Sequence, residues 1–204
     1  DIVMLFVALE TMSISLYIMS GFIRFPEFPD AEQREAANRS AESGIKYFLF
    51  GGFTSAFLLY GLTLVYGFSG GVTNLYEIGP ALVEGEHATA PIIVALGMVA
   101  VGFTFKISAV PFHFWTPDVY EGSPTPVTSF ISVASKAASF AILTRFMLAV
   151  FPPEQLLPDQ LSAGYSDWWV QLFAILAVIT MTLGNLLALV QTNIKRLVAY
   201  SSVA

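Results

Sequence analysis

The chain has 204 residues, of which 55% are hydrophobic and only 12% are charged. A soluble domain carries about 25% charged residues, so the charge supply is too small for a globular surface, and the mean hydropathy of +0.69 favours lipid as the solvent. The lack of cysteine excludes disulfides, thiolate metal sites and iron–sulfur centres in this chain. A net charge of −6, with nine basic residues that form no stripe, argues against a nucleic-acid partner.

Five apolar segments predict transmembrane helices, because about 20 apolar residues are needed to cross a bilayer. They cover residues 2–23, 45–68, 90–111, 127–151 and 168–190, and a sixth begins at Leu197. The first residue is Asp1 rather than Met, and no basic region typical of a signal peptide precedes the first segment. We therefore expect an internal fragment of a longer polytopic membrane protein.

Three charged residues lie well inside these segments: Glu10, Lys106 and Lys136. A charge at bilayer depth costs several kcal/mol, so an intramembrane ionisable residue indicates a functional site. Glu10 lies near the middle of its span, and its short side chain cannot reach water from there. Arg145 lies closer to a span end, where snorkelling and a functional role are equally compatible with the sequence.

The third span contains a helix breaker close to its lysine. Pro111 follows Lys106 by five residues, and its ring and missing N–H predict a break in the helix. Broken helices beside an ionisable group are typical of transporters, where the irregular backbone lines a cavity. His113 lies just past the predicted break, which makes it a candidate proton relay as well as a candidate interior hydrogen-bonding residue.

The remaining segments are polar and are predicted to be loops. The stretch 24–44 is a charged connection or a short surface helix, and 69–89 and 152–167 are loops. Glu77, Glu84, Glu86 and His87 in the second loop match no metal-ligand spacing.

The link HFWTPDVYEGSPTP follows the third span. Its Trp115 and Tyr120 fit an interfacial aromatic belt. Asp118 and Glu121 in the same link are assigned a structural or proton-access role, because no nucleophile accompanies them.

The charged sites suggest a mechanism. Burial disfavours the charged forms of both lysine and glutamate, whereas an opposite charge nearby favours both. A lysine whose glutamate partner approaches or recedes therefore has a switchable proton affinity. A row of such sites joined by water would conduct protons, and a distant conformational change could bias their direction.

Three stretches carry a family resemblance: FKISAVPFHFWTPDVYEGSPTPVTSFISVASK, LETMSISLY around Glu10, and QTNIKRLVAYSSVA at the end. The chain resembles the antiporter-like membrane subunits of respiratory complex I, specifically the subunit-N family of the proton-pumping NADH:quinone oxidoreductase. The sequence motif HFWTPDVYEGSPTPVT distinguishes this chain from the sister subunits of the complex. The stretch 24–44 is longer than this family leads us to expect.

The resemblance implies an all-α membrane fold of two inverted five-helix repeats with a broken helix at Pro111. Residues 1–151 would belong to the first repeat and residues 168–204 to the start of the second. Glu10 and Lys106 match the family's glutamate–lysine pair, and Lys136 matches the next lysine of a hydrophilic axis. The corresponding second-repeat lysine would lie beyond Ala204, so this fragment alone should not pump.

The resemblance also implies a non-redox, proton-translocating subunit without a cofactor of its own. NAD, FMN, iron–sulfur clusters and quinone would be bound by partner subunits of the complex. The other partners would be membrane subunits and the lipid bilayer, in the inner membrane of a bacterial cell. Six of the nine basic residues lie on the side that the positive-inside bias makes cytoplasmic, and the other three are within spans.

Two alternatives remain open. A subunit of a multisubunit cation/proton antiporter would share the broken helix and the buried lysines. Only the resemblance of the motif HFWTPDVYEGSPTPVT to subunit N argues against it. A purely structural membrane scaffold would explain the small residues that suit helix packing, but it would leave three buried charges without a purpose. No catalytic triad, P-loop or metal signature indicates an independent enzyme.

Overall fold

The computed structural model describes residues 1–23, 25, 27, 30–85, 89–152 and 165–204. In this part of the chain the α-helices are, in order, α1 Ile2–Ser20, α2 Ala31–Phe68, α3 Leu75–Glu84, α4 Thr89–Lys106, α5 Trp115–Gly122, α6 Thr125–Phe130, α7 Lys136–Val150, α8 Tyr165–Leu189 and α9 Ile194–Val203. A π-helical turn, Ile131–Ser135, joins α6 to α7. Within the described ranges, four helical segments are long and apolar enough to cross a membrane: Ile2–Ser20, Ala31–Phe68, Thr125–Val150 and Trp168–Leu189. The all-helical membrane fold is thus confirmed.

Helix starts follow local capping chemistry. The Asp30 side chain accepts from the Gln33 N–H while the Gln33 side chain accepts from the Asp30 N–H, which forms a capping box at the start of α2. Asn74 and Asn193 cap α3 and α9 in the same way, since each side chain accepts an N–H from the first turn. Of the two predictions for 24–44, the charged connection is wrong from Ala31 onward. The alternative of a helix is right, but this helix is not a short one, because the capping box starts a 38-residue helix that continues through the second span.

Two further polar segments also contain helices. The predicted loop 69–89 holds α3, and the link after the third span holds α5. Both helices pack against the bundle, and that tertiary burial, rather than length, stabilises such short helices. Glu86 and His87 lie outside the described residues, as does most of the loop 152–167.

The third span is shorter than the predicted 90–111. Helix α4 ends at Lys106, α5 begins at Trp115, and Pro111 lies in the interruption between them. Within the interruption, Ser108 has a φ of 61° and the Val110–Pro111 peptide bond is cis. Whether Pro111 itself causes the break stays a prediction, and so does the pair of inverted repeats.

The buried apolar side chains of the described residues form two clusters. One includes Leu58, Phe103 and Phe146 from α2, α4 and α7. The other contains Trp115 and Tyr120 of α5, which are 1% and 0% exposed. The prediction of an interfacial belt at these two aromatic residues is therefore wrong, since α5 turns both rings into the bundle.

The outer faces of the long helices remain apolar. In α8, Val178 and Leu186 are 67% and 57% exposed, and α1 exposes Met4 and Ile18 in the same way. Such continuous apolar surface is unfavourable in water but is the ordinary outer face of a helix in lipid. Lys106 of α4 and Lys136 of α7 lie on the inner side instead, where each is 6% exposed.

Candidate functional site: a buried glutamate–lysine pair

Helix α1 presents three polar side chains to the interior on one face. Glu10, Ser13 and Tyr17 are spaced i, i+3 and i+7, a spacing that aligns side chains along one side of an α-helix. Ser13 and Tyr17 are 2% and 5% exposed, whereas Glu10 is partly buried. This face lies against the end of α4.

Lys106 is the last residue of α4, so its cation lies at the negative end of the helix dipole. Its ammonium donates to the Glu10 carboxylate at 3.4 Å, the Tyr17 hydroxyl at 3.4 Å, and the Ser13 hydroxyl. An ammonium has three N–H donors, and here each has an acceptor. The pocket is therefore arranged for the protonated lysine.

The hydroxyl groups around the pair have defined donor roles. Ser13 donates its own proton to the Leu9 carbonyl at 2.5 Å, so its oxygen is available to accept from Lys106. Ser55 of α2 donates to Glu10 Oε1 at 2.6 Å, which is shorter than the contact of that oxygen with Lys106. The carboxylate thus has a partner whether or not the ammonium stays close.

An aromatic wall closes the site. The Lys106 Nζ lies 5.8 Å from the centroid of the Tyr17 ring, within cation–π range. Tyr17 packs edge-on against Tyr47 at 4.7 Å, and Tyr47 stacks on Trp115 of α5 at 4.4 Å. A Cβ at Gly51 would overlap the Tyr17 ring, so the glycine is what lets this ring sit beside the lysine.

Lys136 forms a second buried site, separate from the first. The π-helical turn before it shifts the helix register, a feature frequently found at functional sites. Lys136 is 6% exposed, and its ammonium donates to the backbone carbonyl of Ser202 in α9. Within the described residues, no ion pair or hydrogen bond joins it to Glu10 or Lys106.

His113 lies in the interruption between α4 and α5. Its Nδ1 is buried and has no hydrogen-bond partner among the described residues. Ser108 in the same interruption, and Trp115 and Thr116 at the start of α5, also have a buried polar side-chain atom without a hydrogen-bond partner among the described residues. The structure shows no hydrogen bond between His113 and Lys106 in the part that it describes, and the relay role stays a prediction.

Asp118 and Glu121 of α5 do not pair with each other. Asp118 accepts from Lys46 at 2.7 Å and from Arg196 at 2.8 Å, and Arg196 also contacts Glu121 at 3.0 Å. Burial raises the pKa of Asp118, but hydrogen bonds from Lys46 and Arg196 outweigh it and hold the pKa below its ordinary value. Asp118 therefore remains ionised at neutral pH.

The sequence predicts Glu10, Lys106 and Lys136 as site residues, and it does not predict Ser13, Tyr17 and Ser55, which the structure places around the Glu10–Lys106 pair. The spacing of Ser13 and Tyr17 from Glu10 was a usable signal, because three polar residues on one face of an apolar helix are unusual. No comparable signal identifies Ser55, which lies among other small residues of α2. Within the described part of the chain, no group of three His, Asp or Glu residues lies close enough to hold a metal ion.

A multi-helix membrane protein with a buried glutamate–lysine pair is the class that this fold and site define. All residues, 1–204, match the family described as NADH:quinone oxidoreductase/Mrp antiporter, transmembrane, and the chain belongs to that family. The resemblance found in the sequence is thus confirmed.

Its relatives include complex subunits of several bacteria. The chain is 47% identical to NAD(P)H-quinone oxidoreductase subunit 2 of Gloeobacter violaceus and 50% identical to NADH-quinone oxidoreductase subunit N of Moorella thermoacetica. Each alignment covers 100% of this chain but only 35% and 38% of the respective relative. The chain therefore spans little more than a third of the length of these relatives.

Two solved structures share the fold. Respiratory complex I from Thermus thermophilus with bound aureothin matches 98% of this chain and 37% of its own chain, with a TM-score of 0.69 and 37% identity. The membrane-bound sulfane sulfur reductase, an archaeal respiratory membrane complex, matches 98% of this chain and 36% of its own, with a TM-score of 0.78 and 26% identity.

The Ser13 hydroxyl accepts a hydrogen bond from Lys106, and its removal tests the importance of that bond. Under the proton-transfer function proposed in the next subsection, we expect Ser13→Ala in the full-length subunit to slow proton transfer about fivefold, because the protonated lysine loses a hydrogen bond of roughly 1 kcal/mol and takes up its proton less readily. The measurement is NADH-driven proton uptake by vesicles that contain the assembled complex. Ser15→Ala is the matched control, since Ser15 lies on the exposed face of α1 and its hydroxyl donates to the Thr11 carbonyl of the same helix. Equal rates for the two variants would contradict the expectation.

Proposed function

We propose that this chain is part of a proton-translocating membrane subunit of an NADH:quinone oxidoreductase. In this proposal the subunit performs no redox chemistry and holds no cofactor, and NAD, FMN, iron–sulfur clusters and quinone are bound by partner subunits. The observation that carries it is the Glu10–Lys106 pair, buried within an apolar helix bundle of a family that includes such subunits.

The pair supports proton transfer through its hydrogen-bond stoichiometry. A protonated Lys106 satisfies three acceptors, whereas a neutral amine has two donors and leaves one acceptor unpaired. Loss of the proton therefore favours a rearrangement of the pocket, and a rearrangement imposed from outside favours loss of the proton. Deprotonation of Lys106 and rearrangement of the pocket are therefore thermodynamically linked, and each favours the other.

Glu10 can separate from Lys106 at low cost. Ser55 already donates to the same carboxylate oxygen at 2.6 Å, so that oxygen keeps a hydrogen bond when the ammonium withdraws. A separated lysine in this apolar pocket would give up its proton more readily, since the charged form loses the carboxylate that stabilises it. Lys136, whose ammonium donates to the Ser202 backbone carbonyl, is the second proton site of the proposal.

The partners in this proposal are other membrane subunits of the complex and the lipid bilayer, in a bacterial inner membrane. The rival function is cation/proton exchange by a multisubunit antiporter without redox coupling. The same buried pair would serve either function. The two functions differ in the source of energy that drives proton movement, which is NADH oxidation in one and a cation gradient in the other.

The full-length subunit in its assembled complex provides the test. In sealed vesicles of native membranes, NADH is expected to drive both quinone reduction and proton uptake, and a proton ionophore should abolish the uptake alone. A sodium gradient without NADH should drive no proton movement. If NADH gave no turnover while sodium–proton exchange was observed, the antiporter function would replace the proposed one.

A further inference from the structure

We propose that Asp118 is a positioning residue that, through Arg196, holds α9 and its Ser202 carbonyl in place over Lys136, and so joins the two lysine sites through α5. The inference deepens the proposed function and rests on it. The family match assigns no role to Asp118. In the sequence, Asp118 looks like one of several acidic residues of a solvated link.

Asp118 joins three helices. One carboxylate oxygen accepts from Lys46 of α2 at 2.7 Å, and the other accepts from Arg196 of α9 at 2.8 Å. Both contacts bridge more than 70 positions in the sequence. A single carboxylate of α5 therefore connects α2, in the first half of the chain, with α9 at its end.

Further contacts secure α9 to the same end of α5. Arg196 also donates to the Glu121 carboxylate at 3.0 Å. Lys195 donates to the backbone carbonyls of Glu121 and Ser123 at 3.2 and 3.1 Å, where α5 ends and free carbonyls attract a cation. Among the described residues, Asp118 also forms an ion pair with Lys46 of α2, and the Ser123 hydroxyl lies 3.5 Å from the Ser43 hydroxyl of the same helix.

The anchor determines where the partner of Lys136 lies. Ser202 follows Arg196 by six residues in α9, about 9 Å along a helix. Its carbonyl accepts from the Lys136 ammonium, and its hydroxyl lies 3.3 Å from the Tyr120 hydroxyl of α5. A displacement of Arg196 moves this carbonyl with it, because a helix this short moves as one body.

The first residue of α5 contacts the surroundings of Lys106. Trp115 stacks on Tyr47, and Tyr47 packs against Tyr17, whose hydroxyl accepts from Lys106. Helix α5 thus touches the neighbourhoods of both lysines, and the chain that leads into it starts at Lys106 itself. In this proposal a rearrangement at Lys106 reaches Lys136 through α5, and the Asp118–Arg196 hydrogen bond is one of the contacts that transmit it to α9.

The test compares charge and geometry at this position in the full-length subunit within the assembled complex. Asp118→Asn keeps the shape but removes the charge, Asp118→Glu restores the charge, and Glu35→Gln makes the same chemical change at an exposed pair with Arg39. The readout is protons taken up per NADH oxidised, with assembly checked on a native gel. A merely structural role would change assembly and turnover but not this ratio.

We expect Asp118→Asn to lower the ratio by at least about twofold, the smaller end of measured coupling effects. Asp118→Glu should recover most of the loss, and Glu35→Gln should match the wild type. A normal ratio for an assembled Asp118→Asn complex overturns the inference, as does a loss that Asp118→Glu fails to recover.

Should Asp118→Asn prevent assembly, Arg196→Gln replaces it, because that change leaves the Asp118–Lys46 pair intact. It must lower the ratio in the same way, and a normal ratio overturns the inference. Failure of the proposed function is distinguishable, since it would appear as absent NADH-driven uptake in the wild type or as normal uptake in Lys106→Met.

Discussion

Replacing Lys106 by methionine is expected to reduce proton transfer through this subunit by about 100-fold, the scale on which a positioned acid–base group contributes to rate. Methionine keeps the apolar stem that packs at the end of α4 but has no proton to release. Glu10 keeps its hydrogen bond from Ser55, so the buried carboxylate is not left without a donor. The loss should therefore concern proton transfer rather than folding.

Lys106→Arg provides the discriminating comparison. Arginine restores a cation beside Glu10 but does not release its proton at any accessible pH. If the charge only holds α1 and α4 together, the arginine variant should pump normally. If Lys106 carries the proton, the arginine variant should be as defective as the methionine variant.

Both variants are measured in the full-length subunit, by NADH-driven proton uptake beside NADH:quinone turnover, after a native gel has shown assembly. Normal uptake and turnover in Lys106→Met would make the lysine structural, and the proposed proton path would be wrong. If proton uptake is normal in Lys106→Arg but defective in Lys106→Met, the residue has only an electrostatic role.

Gly61→Leu is expected to prevent stable assembly of the subunit. At this position α2 and α4 approach so closely that a Cβ would lie 2.8 Å from the Val99 backbone nitrogen and 3.0 Å from the Ala95 carbonyl oxygen. Backbone atoms cannot rotate away, so the two helices would have to separate. Overpacking of this kind costs about 1–3 kcal/mol or more, and it would displace the end of α4 that carries Lys106.

Gly52 of the same helix is the matched control for Gly61, because nothing lies within 4 Å of a Cβ placed there. Gly52→Leu should assemble at the wild-type level, since it also gains helix propensity. The measurement is the amount of complex on a native gel and its thermal midpoint in detergent. Equal behaviour of the two leucine variants would show that the α2–α4 contact is not the constraint that the structure indicates.

The charged residues illustrate how much of the site was predictable. Glu10, Lys106 and Lys136 could be found because hydropathy alone makes an ionisable residue within an apolar segment conspicuous. Ser13, Ser55 and Tyr17 could not be found with equal certainty, because hydroxyl groups are common in membrane helices and bond to their own backbone. Asp118 looked like one of several loop acids until α5 placed it between two cations.

The sequence by itself determined the class of the protein, the approximate membrane segments and the three buried charges, since each depends on local composition and on the cost of a charge in lipid. Tertiary structure decided which groups meet. Lys106 contacts Ser13 and Glu10, which lie 93 and 96 positions earlier, and Trp115 lies in the core rather than in an aromatic belt. Such contacts depend on how each helix is rotated and where α4 ends, and these are settled by packing among helices distant in sequence.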